Sequence, residues 1–187
     1  RMETSNQSPG LAKNSFARTA KVLYRAGSRY ARTDEALDPA TGVQRLVVIN
    51  APDVWIANIA DGTGRHRVDP DPQTRARVIV FNADDMEPSF PREFAGLEYG
   101  CEAAFFAEAK AEQVPHEAAG RSLTKHVLNR DPWRLTLLTG SQGPEALLLS
   151  KDGKVLFALR YHTYERFAKV DERLFSPPEN VTFSSPE

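Results

Sequence analysis

Residues 146–169 read ALLLSKDGKVLFALRYHTYERFAK, and the Asp152-Gly153 pair near their start decides the fold class. Asp-Gly suits the two central positions of a tight hairpin turn, where φ is positive. The apolar runs on either side, 146–150 and 155–169, are therefore expected to pair as antiparallel strands. Within the second run Phe157, Leu159 and Tyr161 fall on one face and Arg160, His162 and Tyr164 on the other. One side of this strand is expected to be buried and the other mixed.

The same grammar extends outward. Upstream, 122–128 and 133–139 are β-favouring runs, separated by Arg130-Asp131-Pro132 and followed by Gly140-Ser141-Gln142-Gly143-Pro144. In the first half, strands are expected over 17–25, 28–35, 44–50, 54–60 and 65–69. Their connectors are Ala26-Gly27, Asn50-Ala51-Pro52-Asp53 and Asp61-Gly62-Thr63-Gly64, all turn chemistry. Short sequential loops imply a meander. Between 70 and 91 Pro and acidic residues surround one apolar piece, 78–81, which the pattern leaves open between strand and short helix. Phe94, Leu97, Cys101, Phe105 and Glu108 then recur at spacings of three and four. With the Ala- and Glu-rich run 102–113 they predict a helix across 94–113, weakened at its start by Gly96 and Gly100. The expected fold is mainly β (α+β): a curved antiparallel sheet forming an incomplete β-barrel, covered by one or two helices. About nine strands are too many to stay flat.

Composition narrows the functions. Of 187 residues, 41% are hydrophobic and 26% charged, which is ordinary for a folded domain. With 24 Lys and Arg against 25 Asp and Glu, the chain lacks the net basic charge that would favour nucleic acid. No apolar run approaches a membrane span. The first ten residues are polar and start at Arg1 rather than at Met, so a segment removed upstream is expected; a processed signal peptide, which would mean export, and a trimmed start would look identical. Residues 1–14 read as a flexible lead-in and 15–187 as a single domain. Cys101 is the only cysteine, which excludes an intrachain disulfide and a multi-cysteine zinc site.

Three stretches carry a family resemblance: KVLYRAGSRYARTDEAL (21–37), QRLVVINAPDVWIANIADGTGRHRVD (44–69) and EALLLSKDGKVLFALRYHTYERFAKVDERLFSPPENVTF (145–183). The first two resemble the opening of the LolA-like periplasmic lipoprotein-carrier superfamily, with a basic second strand, an Asp-x-Trp hairpin and a glycine turn. The third resembles its ending, a hairpin leading to a long strand and then to Leu-Phe-x-Pro-Pro-x-Asn-Val. The resemblance implies an incomplete barrel whose concave apolar interior is covered by helices, periplasmic localisation, and lipid, acyl-chain or lipoprotein cargo. The alternative it implies is an envelope sensor or scaffold that binds a protein partner with the same fold. The arginine that contacts the helices in such carriers has four candidates here, Arg25, Arg29, Arg32 and Arg45.

If a ligand cavity exists, inward strand positions and the apolar helix face should line it. The candidates are Val22, Tyr24, Val47, Ile49, Val54, Ile56, Phe105, Phe106, Leu135, Leu137, Leu148 and Phe157. The same residues would equally fill a packed core, and periodicity does not separate the two. Trp55 and Trp133 stand next to turn residues and read as braces for strands. His66, His116, His126 and His162 show no metal-ligand spacing, and Ser141 lies in a turn without a nucleophile-elbow pattern. No catalytic residue, cofactor or metal is expected.

Overall fold

A computed structural model describes residues 1–71 and 76–184 of the chain; 72–75, in the Pro- and acid-rich stretch, and 185–187 lie outside the described residues. Among the described residues the fold is mainly β, one open sheet of twelve strands with one α-helix. Hydrogen bonding orders the strands β12 (Thr182–Ser184), β6 (Thr63–Val68), β5 (Asp53–Asn58), β4 (Val43–Asn50), β3 (Tyr30–Asp38), β2 (Lys21–Ala26), β1 (Met2–Asn6), β11 (Lys154–Tyr164), β10 (Gly143–Lys151), β9 (Trp133–Gly140), β8 (Arg121–Arg130) and β7 (Glu112–Ala118). The backbone organises into two compact units within the stretch read as a single domain: Arg1–Glu3 with Thr19–Arg77 and Glu165–Glu187, and Thr4–Arg18 with Val78–Tyr164. Strand β1 (Met2–Asn6) contributes to both. It lies inside the segment expected to be a flexible lead-in, and Met2, Thr4 and Ser5 on it are buried.

The first unit is the expected meander: β2 (Lys21–Ala26), β3 (Tyr30–Asp38), β4 (Val43–Asn50), β5 (Asp53–Asn58) and β6 (Thr63–Val68), paired antiparallel in sequence order. β12 (Thr182–Ser184), which sequence reading missed, runs parallel to β6. Residues directly opposite in such a ladder share a face. The register therefore puts Tyr24, Arg32, Val48, Trp55 and His66 in one row, and Leu23, Thr33, Val47, Ile56 and Arg65 in a row on the other side. The first face carries the core cluster Leu46, Val48 and Ala57 with Phe175, against which Tyr24, Tyr30, Trp55, Val181 and Phe183 pack. The C-terminal segment is thus fastened across this face. A 3-10 turn, Glu172–Phe175, brings the Phe175 ring onto Tyr30 at 5.0 Å, and Arg32 donates to the Leu174 carbonyl at 3.1 Å. Gly64 is required where the strap crosses: a Cβ there would sit 2.6 Å from the Phe183 ring and 2.9 Å from the Ile56 carbonyl.

The second unit contains β7 (Glu112–Ala118), β8 (Arg121–Arg130), β9 (Trp133–Gly140), β10 (Gly143–Lys151) and β11 (Lys154–Tyr164). The β10–β11 turn has positive φ at Asp152 (50°) and Gly153 (75°), the conformation the Asp-Gly pair demands. The helix is shorter than expected. Across 94–113 the chain forms a 3-10 turn (Arg92–Gly96), α1 (Glu102–Glu108) and then the start of β7. Gly100 at φ 81° breaks the pattern before α1, and Lys110 at φ 53° reverses it after. β7 accommodates Pro115 because it is an edge strand, where a missing N–H on the outer side costs no ladder bond. Residues 78–81, whose pattern fits strand and helix alike, contribute only an isolated bridge from Ile79 to Glu98.

Candidate apolar ligand site

In the second unit the register brings Leu135 and Leu137 of β9 beside Leu149 and Leu147 of β10, and these beside Phe157 and Leu159 of β11, with Trp133 on the same face beside Lys151. Leu128 and His126 of β8 extend the same face. Leu135, Leu137 and Leu147 are each 0% exposed, so this face is dry. It is roofed by segment 78–109, which has little regular structure and reaches the sheet through aromatic side chains. Phe81 meets Phe157 edge-on at 5.2 Å, Phe90 meets Trp133 at 5.4 Å, and Phe106 meets His126 at 6.2 Å. Phe90 also contacts Phe81 and Phe94, so these three rings of the roof touch in sequence. Two partly exposed ion pairs, Glu87 with Lys151 and Glu93 with Arg130, close one edge, where Ser89 also accepts from the Trp133 indole at 3.3 Å.

The candidate cavity residues do not converge on one surface. Phe106, Leu135, Leu137 and Phe157 belong to the roofed layer. Leu148 pairs with Ala158 and Thr136 and, by the two-residue period of the strand, projects from the opposite face. Phe105 stays half-buried beside Phe106. In the first unit, Val22 and Tyr24 share the strapped face with Val48, whereas Val47, Ile49, Val54 and Ile56 share the other. Of these six only Val54 is buried. Runs such as Leu46 to Ile49 are apolar on both faces, so alternation gives no clue to which parity points at which layer. Arg25 donates to the carbonyls of Gly27 and Ala76, Arg29 lies over the Tyr30 ring, Arg32 is bound by Asp34, and Arg45 is exposed.

Sequence reading missed a polar group under the roof. Glu102, at the first position of α1, is 0% exposed; its Oε1 accepts from the Tyr161 hydroxyl at 2.7 Å and from the Gly100 amide at 2.9 Å. Burial and the neighbouring Glu102 charge push the Tyr161 hydroxyl well above its usual range, and the same two causes raise Tyr99 to about 12. Both tyrosines are therefore neutral at any ordinary pH. In sequence Glu102 is one acid among several in an Ala- and Glu-rich run, and only the partner 59 residues away reveals its burial. Burial lowers the His126 pKa and keeps that ring neutral; its Nε2 lies 3.0 Å from Thr139 Oγ1.

His162 Nε2 lies 2.8 Å from Ser5 Oγ, a serine–histidine pair joined from opposite ends of the chain. Gln7 also donates to that oxygen, and Ser5 is 3% exposed, so a substrate carbonyl has no approach to it. Among the described residues no group of three or more His, Cys, Asp or Glu is placed to hold a metal ion. Among them, too, no helix is long and apolar enough to cross a membrane.

No protein-family model matches the chain, and no curated protein matches it. Among solved structures it is similar to an uncharacterised conserved protein from Thermus thermophilus, at TM-score 0.52 and 12% identity, covering 99% of this chain and 90% of that one. At that identity the likeness speaks to fold alone.

Proposed function

We propose that this chain is a non-catalytic, exported protein that takes up a lipid, an acyl chain or the acylated end of a lipoprotein, as the LolA-like resemblance implies. The observation that carries the proposal is the roofed layer. Two apolar surfaces, a sheet face rich in leucine and a separate aromatic segment, meet through side chains rather than through a hydrogen-bonded ladder. A hydrocarbon chain entering between them would exchange one set of apolar contacts for another and leave no backbone group unsatisfied. With Leu135, Leu137 and Leu147 at 0% exposure, the layer is closed as it stands, and uptake requires the roof to lift. The ion pairs of Glu87 and Glu93 lie at an edge where it can part, since exposed pairs of this kind contribute only about 0–1 kcal/mol each.

Native mass spectrometry of gently purified protein, followed by organic extraction, tests the proposal. A discrete added mass identified as a lipid is the expected result. A clean apo mass with no uptake of a fluorescent fatty acid would sink it and turn attention to a sensor or scaffold that binds protein.

A further inference from the structure

The apolar layer of the second unit has a polar end. Phe157, Leu159, Tyr161 and Thr163 alternate onto one face of β11, so the face that meets the roof through Phe157 passes from hydrocarbon to two hydroxyls along a single strand. Opposite Tyr161 the roof supplies Glu102, wholly buried, whose Oε1 accepts from the Tyr161 hydroxyl at 2.7 Å and from the Gly100 amide at 2.9 Å. Thr163 Oγ1 is buried and has no hydrogen-bond partner among the described residues. The two donors to Glu102 come from different sides. Gly100 belongs to the roof and moves with Glu102, whereas Tyr161 belongs to the sheet. Parting the roof from the sheet at this end therefore takes one donor from a buried carboxylate and one acceptor from a buried hydroxyl, and both losses are costly unless an incoming group makes them good.

We infer that Glu102, Tyr161 and Thr163 select the cargo by its headgroup: an uncharged group bearing a hydrogen-bond donor, the hydroxyl of a glyceride or the N–H of an acyl amide, which donates to Glu102 in place of Tyr161. The inference rests on the proposed uptake and names the class of lipid. With the acyl chain along Phe157 and Leu159, the headgroup falls at the polar end of the same face. An ionised fatty acid or a phosphate brings acceptors only, to a place where a buried acid has lost a donor, and a full charge is itself disfavoured in a dry layer. A methyl ester lacks the donor as well. A glyceride hydroxyl donates to Glu102 and accepts from Tyr161 or Thr163, and an amide offers its N–H and its carbonyl in the same two roles.

Displacement of a fluorescent fatty acid at mildly alkaline pH, by 1-monomyristoylglycerol, N-methylmyristamide, myristate and methyl myristate, tests it with one chain length throughout. The glyceride and the amide should bind wild type about tenfold more tightly than myristate or the ester, the worth of one hydrogen bond to a buried carboxylate. The tighter of the two tells a hydroxyl source from an amide. E102Q keeps the shape and the acceptor and adds an N–H donor, so myristate should gain and the preference over it should fall to about twofold or less. Y161F has no bond to break when the roof parts, so every ligand should bind several-fold more tightly with the preference kept. Four equal affinities in wild type overturn the inference, and so does a preference that E102Q leaves intact. Should the melting curve show E102Q unfolded, Y161F decides: affinities unchanged in that variant mean that the layer does not part at Glu102, and the inference falls. Wild type that takes up none of the four refutes the proposed function and this inference with it, whereas uptake without preference refutes this inference alone.

Discussion

Replacing Tyr161 by Phe removes one oxygen from the second unit and leaves its ring in place. That oxygen donates to Glu102 Oε1 at 2.7 Å, and Glu102 has no exposure to solvent through which water could replace the donor. Removing one partner of a buried hydrogen bond costs about 1–3 kcal/mol, towards the upper end when the acceptor is charged. The Gly100 amide still donates to the same oxygen and keeps the loss within that range. For a chain of this size, each kcal/mol shifts the melting temperature by about 2–4 °C, so Y161F should melt roughly 3–10 °C below wild type at neutral pH. Alkali adds a second readout. A tyrosine whose folded pKa is raised contributes stability that is complete below the unfolded pKa near 10 and is lost as pH climbs towards the folded value, because the unfolded chain releases its proton first. The loss runs at about 1.4 kcal/mol per pH unit for each such group. Tyr99, raised to about 12, adds its share between pH 10 and 12 in both proteins; Tyr161 adds a share in wild type alone. The stability gap between the two proteins should therefore narrow above pH 10. Urea titrations across that range measure it. Stabilities that agree to within about 0.3 kcal/mol at pH 7, or parallel curves in alkali, would refute the buried Tyr161–Glu102 bond.

Three further substitutions test the packing. Leu137→Ala should cost about 2–5 kcal/mol because Leu137 is wholly enclosed in the roofed layer, whereas Leu148→Ala, half-buried on the reverse face, should cost about 1 kcal/mol. Chemical denaturation would contradict the face assignment if the two losses were equal or reversed. Gly64→Ala must displace the Phe183 ring or the β5 backbone and is expected to cost about 1–3 kcal/mol. Faster amide exchange at 171–184 should accompany it, and a variant as stable as wild type would mean the strap is not seated there.

The hairpins are legible in the sequence because each turn carries its own chemistry. Asp152-Gly153 sets both the location of the β10–β11 reversal and its backbone conformation. Three things are not legible, each for a non-local reason. β12 is three residues long and owes its existence to Gly64 and the Phe183 ring, which lie far apart in the chain. The start of β7 reads as the tail of a helix because Glu112 and Gln113 continue an Ala- and Glu-rich run; pairing with β8 overrides that propensity. The candidate site suffers most. Leu147, Leu148 and Leu149 are consecutive and chemically equivalent, and only pairing with Leu137, Thr136 and Leu135 distinguishes the layer from the reverse face.

The roof also sets an energetic condition on the cargo. Lifting it from the sheet would expose Phe81, Phe90, Phe94 and Phe106, all buried, at about 1.5–3 kcal/mol each, and would break the buried Tyr161–Glu102 bond at about 1–3 kcal/mol, or roughly 7–15 kcal/mol together. A hydrocarbon chain returns about 0.8 kcal/mol for each methylene it buries. A hexadecanoyl chain would return ~12 kcal/mol, above the middle of that range, while an octanoyl chain would return ~6 and fall short of its lower end. Affinity should therefore climb steeply with chain length, by about fifteenfold for every two carbons, and fade towards octanoate. Displacement of a fluorescent fatty acid by a saturated series, held below the micellar range, measures the slope. A flat series would mean that the chain never enters the layer, because a ligand held only by its headgroup gains nothing from added methylenes.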